Sequence, residues 1–285
     1  MNHEFSVAKW LRLGMLAIQA GIAVGSLMAT GRSEQWLGLY GVLVLVLASV
    51  SLWLKRASDR RYQCAEKYRR LLFFSKSNDE EIPAHQLAVI IADYKDADRS
   101  ITLSEEEYYD SQELPGYRRM LENLQESTFY SRKLASSSAA VFQFVSVVGF
   151  GISFVYLLLA ALRATPGAAS VENLRHAAEI STKLIAFAAL GSYFDLWSNF
   201  ATLERTSDRV YDDASAALLK VNAEDVELAK DSLRLVSTYD CALAASAPIP
   251  TVVWLFHRTA LQKGWSAIKA KRVNTTTQSR FRTGV

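Results

Sequence analysis

Four stretches of the chain stay apolar for long enough to cross a bilayer as helix, which takes about 17–25 residues. The first runs over Leu13–Thr30, with Gln19 as its only strongly polar side chain. The second, Trp36–Leu54, reads WLGLYGVLVLVLASVSLWL and carries no charge. The third, Ala140–Leu162, is the longest, and the fourth, Leu184–Leu203, is interrupted by Asp195 and Asn199. Uncharged runs like the second and third are rare in soluble folds. The pattern therefore predicts an all-α membrane protein with four transmembrane helices in two hairpins and a helical cytoplasmic domain built from two segments. Lys9 and Arg12 precede the first run as in a signal peptide, but its exit Leu27-Met28-Ala29 lacks a small-x-small cleavage pattern and another span begins at Trp36. A retained hairpin is the reading that follows.

Between and after the spans the pattern turns amphipathic. It divides the chain into an N-terminal hairpin (1–54), a cytoplasmic helical segment (55–139), a second hairpin (140–203) and a second cytoplasmic segment with a basic tail (204–285). Nothing from Lys55 to Phe74 breaks a helix, so the second span is expected to continue through 55–75. The segment Ser75–Pro83, SKSNDEEIP, reads as a turn, and Asp79, Glu80 and Glu81 suit the start of a helix over Ala84–Asp98. An acidic run, Glu105–Glu107, leads to Tyr108-Tyr109 and a stop at Pro115-Gly116. From Tyr117 another helix is expected to pass through Arg132 and Lys133 into the third span, with Tyr117, Met120, Leu121, Leu124 and Thr128 on one face. After the fourth span, Val210, Ala214, Ala217, Leu218 and Val221 make a face. Asn222 offers an N-cap, and Val226, Ala229, Leu233 and Val236 repeat at helical spacing. Such alanine-rich faces need helical partners, from the same chain or a second copy.

Composition sharpens this picture. The chain is 50% hydrophobic and 21% charged, with a mean hydropathy of +0.06 and a net charge of +3. A protein part in membrane and part in water averages to such values. Positive charge is concentrated after the second span (Lys55, Arg56, Arg60, Arg61, Lys67, Arg69, Arg70) and just before the third (Arg132, Lys133). The rule that cationic flanks stay inside puts both termini in the cytoplasm of an inner-membrane, multi-pass protein. Residues 241–256, CALAASAPIPTVVWLF, are too short and too broken by Pro248 and Pro250 to span. They read as a turn leading to an interfacial helix. Beyond Asp240 no acidic residue follows, while Arg258, Lys263, Lys269, Lys271, Arg272, Arg280 and Arg282 do. With Trp254, Phe256 and Trp265 among them, this segment suits an anionic leaflet. A frayed basic tail beyond Lys271 is the alternative.

Chemistry is sparse. No phosphate loop, dinucleotide fingerprint or nucleophile elbow occurs, and no carboxylate spacing selects an acid/base pair, so no enzyme is expected. The two cysteines, Cys64 and Cys241, exclude a disulfide scaffold and a four-thiolate zinc site and read as reduced thiols. The four histidines are scattered, and no metal or cofactor is expected. Two constellations stand out. Ser192, Asp195 and Asn199 form a polar stripe on the fourth span. It suits a pore or ion path, or else hydrogen bonding to a neighbouring helix or a span that starts later. Tyr109, Tyr117, Arg118, Arg119 and Arg132 combine stacking rings with guanidinium groups, as a nucleotide's base and phosphates require. Solvated helix arginines are the plainer reading.

Two tracts resemble a known family. They are Tyr108–Lys133, YYDSQELPGYRRMLENLQESTFYSRK, ahead of the third span, and Ser246–Trp254, SAPIPTVVW. Together with the alternation of hairpins and cytoplasmic helices, they resemble the SMODS-associating four-transmembrane effectors of bacterial anti-phage (CBASS) operons, or a sister family. That family shows Glu, aromatic and Arg residues before its third span and a Pro-rich I-P-x-x-aromatic element near its end; Thr251 here stands where its pattern has Asp. The resemblance implies an effector that permeabilises the inner membrane when a cyclic oligonucleotide, not a nucleic-acid polymer, binds its cytoplasmic helices. Arg118, Arg119 and Arg132 would then pair with phosphates, and Tyr109 or Tyr117 would stack. A homo-oligomer is expected, because four helices cannot both pack a core and enclose a sizeable pore. Two other classes remain: a constitutive channel or transporter that depends on Asp195, and a membrane-anchored scaffold that recruits a cytoplasmic partner.

Overall fold

A computed structural model describes residues 2–28, 34–93, 109, 111, 113–162, 170–219 and 225–283. Among the described residues there are seven helices and no strand: α1 Asn2–Met28, α2 Glu34–Asn78, α3 Ala84–Asp93, α4 Tyr117–Leu162, α5 Ser170–Leu219, α6 Asp225–Ala245 and α7 Thr251–Thr283. The protein is all-helical, as the pattern requires. Three of these helices, α1, α2 and α4, are long and apolar enough to cross a membrane.

The helix ends follow from local chemistry. α2 does continue from its uncharged run through the basic stretch and stops at Asn78, because Asp79 takes a left-handed φ of 57°. The Glu80 N–H then reaches back to the Ser75 carbonyl at 3.1 Å, the bond that closes a Schellman-type helix end. Gly116, at φ 133°, gives its N–H to the Ser77 carbonyl (2.9 Å) and accepts from the Met120 N–H (3.0 Å), so it both ties down the end of α2 and opens α4. The expected helix from Ala84 is described to Asp93, and its last residues, like Glu105–Glu107, Val221 and the Asn222 cap, lie outside the described residues. The Pro-rich stretch is a turn only over 246–250, since residues 241–245 still belong to α6. Pro250 starts α7, its carbonyl accepting from the Val253 and Trp254 N–H groups at 3.1 and 3.3 Å. The tail does not fray at Lys271, because α7 stays helical to Thr283.

The helices pack as two units. Unit 1 comprises Met1–Tyr68, Ser138–Ala201 and Ser246–Pro248; unit 2 comprises Arg69–Ser137, Thr202–Ala245 and Ile249–Val285. In unit 1, α1 and α2 pair antiparallel. Arg61 holds Glu4 with two bonds of 2.9 and 3.0 Å, Ser58 donates to the Ala8 carbonyl, Arg12 meets Asp59 at 3.0 Å, and Tyr40 donates to the Ile22 carbonyl at 2.8 Å. α4 and α5 run antiparallel as well, with Phe142 stacked on Phe200 at 5.7 Å and Leu190 against Gly149. Gln19 on α1 donates to Ser192 on α5 at 2.9 Å, and Tyr193 donates to the Leu16 carbonyl at 2.6 Å.

The surface of unit 1 is inverted relative to that of a soluble bundle. Leu39, Val42, Leu45, Val46, Leu52 and Trp53 on α2, and Val141, Phe144, Val147 and Phe154 on α4, face outward, while Ser26, Ser51, Ser146 and Ser153 are buried. Small polar residues inside and large apolar ones outside suit helices that pack in lipid, where apolar surface gains nothing by turning inward.

Unit 2 has an ordinary core, with Phe73, Met120, Leu121, Leu124, Leu203, Val210, Ala214, Leu228, Leu235, Val236 and Leu243 among its members. The α4 face read from the sequence is buried except Tyr117, which is exposed. On α6 the expected face is buried only in part: Val236 is in the core, but Val226 is 77% exposed and Leu233 48%, and the buried stripe is Leu228, Ser232, Leu235, Val236, Tyr239 and Leu243. α6 offers two alternative apolar stripes, and the core formed by α4 and α5 selects the one that includes Tyr239. Its hydroxyl reaches Ser131 (2.6 Å) and the Ser127 carbonyl (3.2 Å).

Candidate functional site

Within unit 2, Phe129, Arg132, Lys133 and Ser136 fall at i, i+3, i+4 and i+7 on α4 and so share one helical face. With Glu204 of α5 and His257, Ala260 and Leu261 of α7 they line a groove of about 400 Å³. That volume lies in the range of small-ligand sites. The approach of α7 is close: a Cβ on Gly264 would stand 3.2 Å from Phe129 Cζ, so glycine lets α7 lie against the ring. Phe129 also lies 5.6 Å from the Trp265 ring and 6.4 Å from the Tyr211 ring. The result is one aromatic ring, Phe129, lining the groove beside cations and backed by Trp265 and Tyr211.

Arg132 is positioned from two sides. One nitrogen donates to Asp208 at 2.8 Å, and its guanidinium carbon lies 4.9 Å from the Tyr211 ring centre and 6.0 Å from that of Phe129. The fork carries five N–H donors, so the bond to Asp208 leaves further donors for an anion. Lys133 is exposed beside it, and His257 Nε2 pairs with Ser137 Oγ at 2.9 Å. Glu204 sets a carboxylate among these groups. The groove is thus cationic but not uniformly so, and it favours an anion that also presents a hydrogen-bond donor. Tyr130, in the polar part of α4 next to the groove, has its phenol pushed above the usual range by burial and by the neighbouring Glu126 carboxylate, so it acts as a neutral group.

Of the five residues singled out for a nucleotide, only Arg132 lies in this groove. Arg118 donates to the Leu218 carbonyl at 3.2 Å and Arg119 to the Lys76 carbonyl at 3.3 Å, so each satisfies a carbonyl in the last turn of another helix. From these two, Arg132 is about 20 Å along α4 at 1.5 Å per residue. Tyr109 packs edge-on against Phe73 with centroids 5.3 Å apart and accepts from Arg69 at 3.3 Å. Tyr117 is exposed at the first turn of α4. The five therefore do not converge on one cavity.

A second cationic cluster went unread in the sequence. Asp240 of α6 binds Arg70 at 2.7 Å and Arg69 at 3.5 Å, and Arg69 also lies 5.8 Å from the Tyr239 ring centre. Arg69 and Asp240 each keep only 12% of their side-chain surface in solvent. The basic run after the second span does not show which of its seven cations meet an enclosed acid; here Arg61 meets Glu4, and Arg69 and Arg70 share Asp240.

The polar stripe of α5 divides as well. Ser192 accepts from Gln19, whereas Asp195 and Asn199 are exposed on the outside of unit 1. Phe142 touches both Tyr193 (6.3 Å) and Phe200 (5.7 Å), which sets Asp195 level with the start of the Ala140–Leu162 run. Cys64 is half-buried and Cys241 exposed, and the two are not joined in a disulfide. Compared with protein-family models, curated proteins and solved structures, the chain finds no match.

Proposed function

We propose that this chain is a four-span inner-membrane effector of bacterial anti-phage defence, with both termini cytoplasmic, that permeabilises the membrane when a cyclic oligonucleotide binds unit 2. The fourth span on this reading is the Leu184–Leu203 part of α5, which completes two membrane hairpins. The observation that carries the membrane half is the inverted surface of unit 1, with Phe144 70% exposed and Ser146 buried two residues on. For the ligand half, support comes from the groove, whose Phe129 ring and Arg132–Lys133 pair suit a base and a phosphodiester. The ligand residues on this reading narrow from the five expected ones to Arg132, joined by Lys133 and Phe129.

A mechanism follows from connectivity. α2, α4 and α5 each contribute residues to both units, so a ligand that binds one arrangement of unit 2 more tightly has a covalent route to the spans. Permeabilisation then requires several copies, with the outward-facing Asp195 and Asn199 positioned to line a path between them.

Dye leakage from liposomes holding the purified full chain, with a panel of cyclic di- and trinucleotides, tests this. Leakage that needs one nucleotide and is lost in Arg132→Gln/Lys133→Gln is the expected result. Leakage without ligand that disappears in Asp195→Asn would replace it with a constitutive channel. No leakage with any nucleotide would remove the pore and favour the scaffold.

A further inference from the structure

α7 presents two faces. One is used inside unit 2, where Leu261 and Trp265 are buried and Gly264 and His257 meet α4. The opposite face, at the same 100° spacing, carries Val252, Leu255, Phe256, Thr259 and Lys263, all exposed, with Phe256 at 81%. Its apolar members are confined to the first two turns. From Arg258 onward the exposed charged residues are cations only.

The partner of α7 within unit 2 is the polar end of α4, just ahead of its uncharged run. Trp254 lies 6.2 Å from the Tyr130 ring, His257 bonds Ser137, and Trp265 lies 5.6 Å from Phe129, so α7 meets α4 between residues 129 and 137. α4 carries its last charge at Lys133, and Leu134–Leu162 contains none. Within unit 2, α7 therefore lies beside the stretch of α4, 129–137, in which its charges end.

We infer that α7 is an interfacial helix that seats on an anionic phospholipid surface. Val252, Leu255 and Phe256 enter the boundary between headgroups and acyl chains, and Arg258 and Lys263 lie against the phosphates. Charge complementarity selects the occupant: no acidic residue follows Asp240, while seven cations do. A second copy of the same basic face would repel it. The inference rests on α4 crossing a membrane and not on nucleotide gating, so a failed leakage assay leaves it standing.

The test uses the full chain with Cys64→Ser and Cys241→Ser, carrying Thr259→Cys labelled with an environment-sensitive dye. It is reconstituted in phosphatidylcholine vesicles, with or without phosphatidylglycerol, and quenched by a spin label near the headgroup. Lys230→Cys, exposed on α6, is the reference site. The expected result is a blue-shifted, quenched dye at 259 in the anionic vesicles alone, with none at 230. Arg258→Gln/Lys263→Gln should weaken the anionic preference about fivefold per charge removed, while Arg258→Lys/Lys263→Arg retains it. Quenching at 259 no greater than at 230 would overturn the proposal. Equal quenching in neutral vesicles would overturn its anionic selectivity. A shift that tracks protein density and ignores lipid charge would assign the face to a second copy instead.

Discussion

Unit 1 buries Ser26, Ser51, Ser146 and Ser153 and turns Val42, Leu45, Phe144 and Phe154 outward, whereas unit 2 buries Phe73, Leu121, Leu124 and Leu235 and turns Glu227, Lys230 and Arg234 outward. The difference lies on the outer faces: both units bury apolar side chains together with some serines, but the outward stretches of α2 and α4 in unit 1 are far richer in large apolar residues. In water, burying apolar area stabilises at about 25 cal/mol per Å². In lipid that gain vanishes, and helices associate through close approach and hydrogen bonds. Unit 1 has bonds of the second kind: Gln19 to Ser192, Tyr193 to the Leu16 carbonyl, Tyr40 to the Ile22 carbonyl. The buried Met15, Leu16, Phe142 and Phe200 fill space around those bonds.

The sharpest way to break this contrast is a matched pair of substitutions. Phe144→Arg puts a charge on the outward face of unit 1 and should cost about 3 kcal/mol of membrane insertion. Leu233→Arg, on an exposed face of unit 2, should change stability by less than about 0.5 kcal/mol. The fraction resisting alkaline extraction measures the first and thermal unfolding in detergent the second. Equal effects would erase the distinction.

Next in size is the buried ion cluster of unit 2. Asp240→Asn leaves Arg69 nearly enclosed without its carboxylate and should destabilise by about 2 kcal/mol. That is less than a fully buried pair would lose, because Arg70 keeps 45% of its side chain in solvent. A fall in the thermal midpoint, absent in Asp231→Asn on the same helix, is the outcome to look for.

A smaller effect probes close packing in unit 1. A Cβ on Gly25 would stand 2.9 Å from the Tyr40 hydroxyl, which is held by Ser26 and the Ile22 carbonyl and has little room to yield. Gly25→Val should therefore cost about 1–3 kcal/mol by overpacking. Gly21→Val, which meets nothing within 4 Å, should cost far less. Detergent-induced unfolding compares the two directly, and similar values would argue against a tight α1–α2 contact.

The smallest expected change concerns the groove. Arg132 and Asp208 keep 35% and 55% of their side chains in solvent, so Arg132→Gln should lose only about 0–1 kcal/mol of stability. Unchanged unfolding alongside a lost ligand response would separate recognition from folding. A large fall in stability would make Arg132 a structural residue of unit 2.

The sequence alone determined the helical class, the uninterrupted passage of α2 and α4 between uncharged and polar stretches, and the length and apolarity that would let α1, α2 and α4 cross a membrane. These are local properties: an uncharged run declares its solvent without reference to any other segment, and nothing between Lys55 and Phe74 breaks a helix. Of the groove's lining, the sequence reading reached Arg132 alone; Phe129, Lys133 and Ser136 share its helical face, but nothing in one helix marks that face as the one α7 covers. Only the tertiary structure decided which stripe of α6 is buried, because two stripes compete and the partner helices choose. It also assigned Arg118 and Arg119 to the carbonyls at the ends of α5 and α2, a use that depends on where those ends lie in space. The groove itself joins α4, α5 and α7, and His257 reaches Ser137 across 120 positions of chain. Periodicity fixes what one helix presents, whereas packing fixes what it meets.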